Sequence, residues 1–181
     1  MRENDPRRLD VERFASVGQQ LEGQWPLPGM HRLAEACHAE DPPTPTDLVH
    51  WRVSAERRRV GAGESHAWLK LVLDTRVKLT CQRCLGPADT PLQIEHWFHF
   101  VAGEDQAAAL DAEAEEDVLA SSRALDLHQL AEDELLLALP LVPRHEVCPH
   151  PLPASRVDLA LEEAAESNPF AVLAGLGRRA H

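Results

Sequence analysis

The spacing of apolar and polar positions changes twice along the chain. Leu9, Phe14, Val17 and Leu21 recur at roughly helical intervals. Asp5-Pro6 ahead of them reads as a helix start, an acidic N-cap followed by proline in the first turn. The stretch from Gly23 to Gly29 holds two prolines and breaks that helix. Met30, Leu33, Ala34 and Cys37 then fall at i, i+3, i+4 and i+7, the helical template. Asp41-Pro42-Pro43-Thr44-Pro45 closes this second helix in a stiff linker.

After Pro45 the period becomes two. Val49, Trp51 and Val53 alternate with Leu48, His50 and Arg52. Leu69, Leu71 and Leu73 alternate with Trp68, Lys70 and Val72, and Val77, Leu79 and Cys81 resume the pattern after Asp74-Thr75. Leu92, Ile94, His96, Phe98 and Phe100 alternate with more polar residues. Gly61-Ala62-Gly63 and Leu85-Gly86-Pro87-Ala88-Asp89 separate these runs, which predicts an antiparallel meander. Residues 103–117 lack apolar periodicity and are expected to form a mobile acidic loop, followed by a short strand at Val118-Leu119. Asp126 then caps a helix to about 139, with Leu127, Leu130, Ala131, Leu135, Ala138 and Leu139 on its apolar side. Residues 149–157 are irregular; an acidic helix over 158–166 and a short one from Asn168 follow.

The expected fold is α+β: a mostly antiparallel sheet with N-terminal helices and one main helix on a sheet face. Residues 1–45 form a helical segment, 46–148 the sheet-plus-helix domain, and 149–181 a tail. A chain of 181 residues can bury a core without disulfides. No run approaches a membrane span, and the charged opening Met1-Arg2-Glu3-Asn4-Asp5 is no signal segment. A cytoplasmic protein with no membrane partner is expected.

Charge sharpens this picture by its placement. Of the net -12, nearly all comes from residues 101 to 134, where eleven acids face one base, Arg123. Such a concentrated patch is either a solvated loop or a surface for a basic partner. It argues against a general polyanion binder.

Four cysteines occur, Cys37, Cys81, Cys84 and Cys148. Cys81-Gln82-Arg83-Cys84 sits at a predicted hairpin tip, where two intervening residues let both thiolates reach one tetrahedral ion. A thioredoxin-like redox pair would need a helix after the first cysteine, which Gly86-Pro87 opposes. His145-Glu146-Val147-Cys148 supplies candidate third and fourth ligands, with His96, His99 and His150 in reserve. Cys81, Cys84, His145 and Cys148 are thus candidates for one structural zinc, and the hairpin tip is expected close to Cys148. The competing reading is that these cysteines are small buried residues or free thiols. Cys37 lies on a helical face and belongs to the core.

The chain has no Walker loop, GxGxxG, HExxH or GxSxG, so no catalytic residues are assigned. Arg57, Arg58 and Arg59 are the only basic run, and with Arg76, Lys78 and Arg83 could give the sheet a basic, RNA-binding face beside Trp51, Trp68 and Trp97. The competing reading buries the tryptophans. At the C-terminus, Asn168-Pro169 starts a short helix whose stripe of Phe170, Leu173 and Leu176 either docks on a partner or folds back on its own domain.

Three blocks carry a family resemblance. Leu79-Thr80-Cys81-Gln82-Arg83-Cys84 on a hairpin resembles the marker of the bacterial YceD family. So do the stretch from Asp126 to Cys148, centred on Glu132-Asp133-Glu134-Leu135-Leu136-Leu137-Ala138-Leu139-Pro140-Leu141-Val142-Pro143, and the terminal Asn168-Pro169-Phe170-Ala171-Val172-Leu173. The family is associated with accumulation of large-subunit (23S) ribosomal RNA. The resemblance implies a role in the synthesis, processing or stability of that RNA, and no reaction. The helix acids Glu132, Asp133 and Glu134 match the family block and are expected, with Phe170 and Leu173, to contact a ribosomal protein or assembly factor. Large-subunit rRNA bound directly through Arg57, Arg58 and Arg59 is the second expectation, and a thiol- or zinc-dependent enzyme the third.

Overall fold

The computed structural model describes residues 5–60, 63–112, 114 and 116–149. The chain divides after His145 into a first unit, Met1–His145, and a second, Glu146–His181. Only 146–149 of the second are described, so the expected C-terminal helices with Phe170 and Leu173, and His150, lie outside the described residues.

The first unit is built on a five-stranded sheet whose strands lie in chain order: β1 (Gln20–Pro26), β2 (Leu48–Val60), β3 (Glu64–Thr80), β4 (Pro87–Val101) and β5 (Asp117–Ala120). The first three junctions are antiparallel; β5 joins β4 in parallel through a connection that contains α3 (Glu104–Asp111). The other helices are α1 (Val11–Val17), α2 (His31–Ala36) and α4 (Leu127–Leu137). The architecture is therefore α+β with a mostly antiparallel sheet, and among the described residues no helix is long and apolar enough to cross a membrane.

Period-two alternation explains the sheet. Val49, Trp51, Val53 and Ala55 of β2 point to the same buried face as Ala67, Leu69, Leu71, Leu73, Val77 and Leu79 of β3, and as Leu92, Phe98 and Phe100 of β4. Asp74-Thr75 does not interrupt β3. Thr75 keeps the alternation, buried with its hydroxyl donating to the Leu48 carbonyl at 2.9 Å. Leu9, Val11 and Phe14 from the N-terminal segment join this core, as do Leu33 of α2 and Leu127, Ala131 and Leu135 of α4.

Three local expectations are corrected. Helix α1 starts at Val11, capped by the Asp10 carboxylate, which accepts from the Arg13 N–H at 3.1 Å; Asp5 instead accepts from the Arg7 N–H. Residues 20–26, expected as helix end and breaker, form the edge strand β1. Gly23 makes this possible, because the Trp51 indole lies where its Cβ would be, 2.7 Å from the nearest ring atom. Trp51 then stacks on Trp25 at 4.6 Å. Finally, the acidic stretch is not a structureless loop. Gln106-Ala107-Ala108-Ala109 has high helix propensity, and Ala107 seats α3 in a small apolar cluster with Val101 and Val118.

A cysteine knuckle and its surroundings

Strand β3 ends at Thr80 and β4 begins at Pro87, so Cys81 and Cys84 occupy the hairpin tip between them. The tip is fixed by its own backbone. The Cys81 N–H donates to the Gly86 carbonyl and the Leu85 N–H to the Cys81 carbonyl, both at 2.9 Å. This closure forces Leu85 to φ +61°, a left-handed conformation costly for a branched side chain. A third bond, from the Gln82 N–H to the Pro143 carbonyl at 2.9 Å, ties the tip to the segment after α4. Arg83 reinforces that tie by donating to the His145 carbonyl at 3.3 Å.

His145 is thereby set beside the tip. Its Nε2 lies 2.9 Å from the Pro87 carbonyl, which can only accept, so Nε2 carries the ring proton. Nδ1 is then left with a lone pair, and it faces the Cys84 sulfur at 3.4 Å. One ligand atom from each of Cys81, Cys84 and His145 lies within 4.8 Å of the others. An outer carbonyl that orients a ligating imidazole is the usual support of a metal-bound histidine.

The Cys81 sulfur is already prepared as a ligand. Its pKa is lowered to about 5, first by the N–H of Cys84, against the opposing effect of burial, and further by the N–H groups of His145 and Arg83. A buried thiol with such a ring of donors exists as thiolate at neutral pH, the form that binds metal. Cys148 lies in the second unit, three residues beyond His145 in the chain. Cys81, Cys84 and His145 of the first unit supply three sulfur and nitrogen donors of the kind that zinc takes.

The reserve histidines belong elsewhere. His96 sits between two carboxylates, its Nδ1 2.8 Å from Glu134 and its Nε2 3.6 Å from Asp117. His99 is buried against Trp68 in a parallel stack at 4.5 Å, with the His66 ring on it at 4.9 Å. Burial first, and then His66, holds His99 below the usual imidazole range. Cys37 is half-buried, packed against the core and not within it, with its thiol pushed up by burial.

The helix acids are engaged inside the fold. Glu132 is buried and accepts from the N–H groups of Arg32 and Leu33, at 2.7 and 3.2 Å, at the start of α2, while the Arg32 guanidinium adds a 3.2 Å contact. Burial alone would raise its pKa, but these donors hold it below the ordinary carboxylate value. Glu134 is buried too, on His96; Asp133 is more open and pairs with Arg32 at 2.7 Å. Sequence carried a signal for Glu132: one position after Ala131 and three before Leu135, it falls near the core side of α4.

The arginine run is split by the strand period. Arg57 reaches Glu12 at 2.6 Å and also bonds Ser65, while Arg58 points to the opposite face. Arg58 pairs with Glu56 at 2.5 Å and lies over Trp68 and Trp97, 4.7 and 4.0 Å from the ring centroids. Lys70, paired with Glu95, stands 5.7 Å from Trp97. The tryptophan faces expected to receive bases are thus covered by the protein's own side chains, and Arg57, Arg58 and Arg59 do not make one basic surface.

No solved structure matches the chain. A protein of Haemophilus influenzae described as "Large ribosomal RNA subunit accumulation protein YceD" is 41% identical over 106 residues, which cover 57% of this chain and 61% of that relative. The aligned stretch thus spans less than two thirds of the relative's length. The family model of the same description matches residues 69–177, which takes in the knuckle, α4 and the segment beyond it. On that match, over more than half of its length, the chain belongs to the YceD family.

Proposed function

We propose that the protein is a non-enzymatic accessory factor that supports large-subunit ribosomal RNA by binding a ribosomal protein or assembly factor in the cytoplasm. The family description supplies the process. The observation that carries the binding role is an exposed apolar set in the family-matched region: Leu141, Leu137 and Leu85 are 100%, 79% and 67% exposed. Leu85 and Leu141 belong to the two segments that the Gln82–Pro143 bond joins. Exposed apolar side chains held on a rigid frame suit a protein contact. The acidic charge on and after α3 favours a basic partner through long-range attraction.

In this reading Cys81, Cys84, His145 and Cys148 hold one structural zinc. A metal there would fix the tip against the segment after α4 and so hold Leu85 and Leu141 in register. Four protein ligands leave no open coordination position for substrate, and the Cys81 sulfur is buried from reagents. Both features support a structural role.

The test is capture with the full chain at low salt, because surface attraction is screened over about 10 Å at 0.1 M. Large-subunit ribosomal proteins or precursor particles are expected in the bound fraction, and Leu137→Asp with Leu141→Asp should lose them. Recovery of no ribosomal component by the wild-type chain sinks the proposal.

A further inference from the structure

An open cleft of about 530 Å³ lies between α1 and the segment just after β5, and Arg13 and Arg123 both line it. Its walls are fixed. The Val11 N–H donates to the Ser122 carbonyl at 3.1 Å, and Leu9 and Leu125 exchange backbone bonds at 2.9 Å. The carboxylates in the cleft are already engaged. Asp10 caps α1, and Glu12 accepts from Ser121 with one oxygen and from Arg57 with the other. Ser122 Oγ accepts from the Ala124 N–H, which leaves its proton to give.

Two unpaired guanidiniums meet in this cleft. Arg32, Arg52, Arg57 and Arg58 each have a carboxylate partner. Among the described residues, the side chains of Arg13 and Arg123 have none, in a chain that carries 30 acids. The cleft therefore presents donors: two planar forks and a hydroxyl. Such a set suits the several oxygens of a phosphoryl group, to which arginine binds through paired N–H groups. No aromatic side chain lines the cleft, so nothing in it stacks a base, and its open form admits a chain.

We propose that this cleft binds the phosphodiester backbone of RNA through Arg13, Arg123 and Ser122, without reading sequence. The choice of RNA as the source of the phosphoryl group rests on the ribosomal-RNA reading above.

The experiment is fluorescence anisotropy of a labelled single-stranded oligoribonucleotide with the full chain at about 50 mM salt, where phosphate contacts are strong. The double variant Arg13→Gln/Arg123→Gln should weaken binding about tenfold or more and reduce the slope of log K against log salt by about 1.4. Arg52→Gln/Arg144→Gln removes the same charge elsewhere and should change binding less than about twofold. Circular-dichroism melts check that both variants fold. Equal loss in the two double variants overturns the cleft, as does absence of RNA binding by the wild type. Displacement of RNA by micromolar inorganic phosphate assigns the cleft to the free ion and overturns the RNA assignment. Tighter binding of polyglutamate than of RNA does the same in favour of an acidic protein. A wild-type chain that captures ribosomal proteins but no RNA removes the cleft alone; one that binds RNA through these arginines but captures no ribosomal component removes the partner-protein reading alone.

Discussion

Leu85 holds a left-handed backbone conformation with most of its side chain in water. The turn would be easier for glycine, which has no Cβ to clash. Leu85→Gly should therefore stabilise the protein by about 1 kcal/mol in urea unfolding, while weakening capture of the partner if the exposed side chain serves contact. Glu132 is the opposite case, a residue the fold depends on. Glu132→Ala strips the first N–H groups of α2 of their acceptor and should cost about 2 kcal/mol. Its depressed pKa means that its stabilisation is present above the ordinary value of 4.5 and lost as pH falls through the folded value. His128 and His99 act higher on the scale. Burial first keeps both neutral, with Arg7 and His66 respectively adding to it, and below the ordinary value of 6.5 the unfolded chain takes up the protons they refuse. Stability should thus fall in two stages on acidification, and urea midpoints at about pH 7.5, 5.5 and 4 check this. An acid's type says nothing of its partner, so Glu132 could be read as a surface charge until Arg32 and Leu33, about a hundred residues away, were placed on it.

At the scale of elements, the strands were the legible part. Their buried face follows from every second residue of β2, β3 and β4, because a sheet with one wet face must alternate. The helix α4 was legible from its own helical period of apolar positions, together with its cap at Asp126. Strand β1 was not, since its exposed–intermediate alternation carries little apolar signal and its glycine resembles a breaker. Gly23→Ala tests that account: a methyl group 2.7 Å from the Trp51 ring must push the indole off Trp25, with an expected loss of about 1–3 kcal/mol in thermal or urea unfolding. Helix α3 escaped detection because one buried alanine and a parallel strand beyond it, not a stripe of large side chains, hold it in place.

For the whole molecule, the central question is what the knuckle holds. Purified without chelator, the full chain should carry about one zinc, and removing it should lower the melting temperature. Cys81→Ser, Cys84→Ser, Cys148→Ser and His145→Ala should each lose the metal. Metal content, with thiols counted after denaturation, decides this, because four free thiols and no zinc would return the cysteines to plain packing. The ligand pattern was legible as two short motifs sixty residues apart; the tautomer of His145 was not, because the carbonyl that sets it belongs to Pro87, across the hairpin.

The pairing of Leu9 with Leu125 also has a consequence in time. Strands β1 to β4 neighbour one another in sequence and can pair as each leaves the ribosome. Leu9 cannot complete its pairing until Leu125 has been made. At about 5–20 residues per second, α1 can settle on β2 and β3 early, whereas Leu9 waits several seconds for its partner. During that interval the growing chain is a client for whatever shields apolar segments at the tunnel exit, and a stall before residue 125 would leave a finished sheet with an unsealed core.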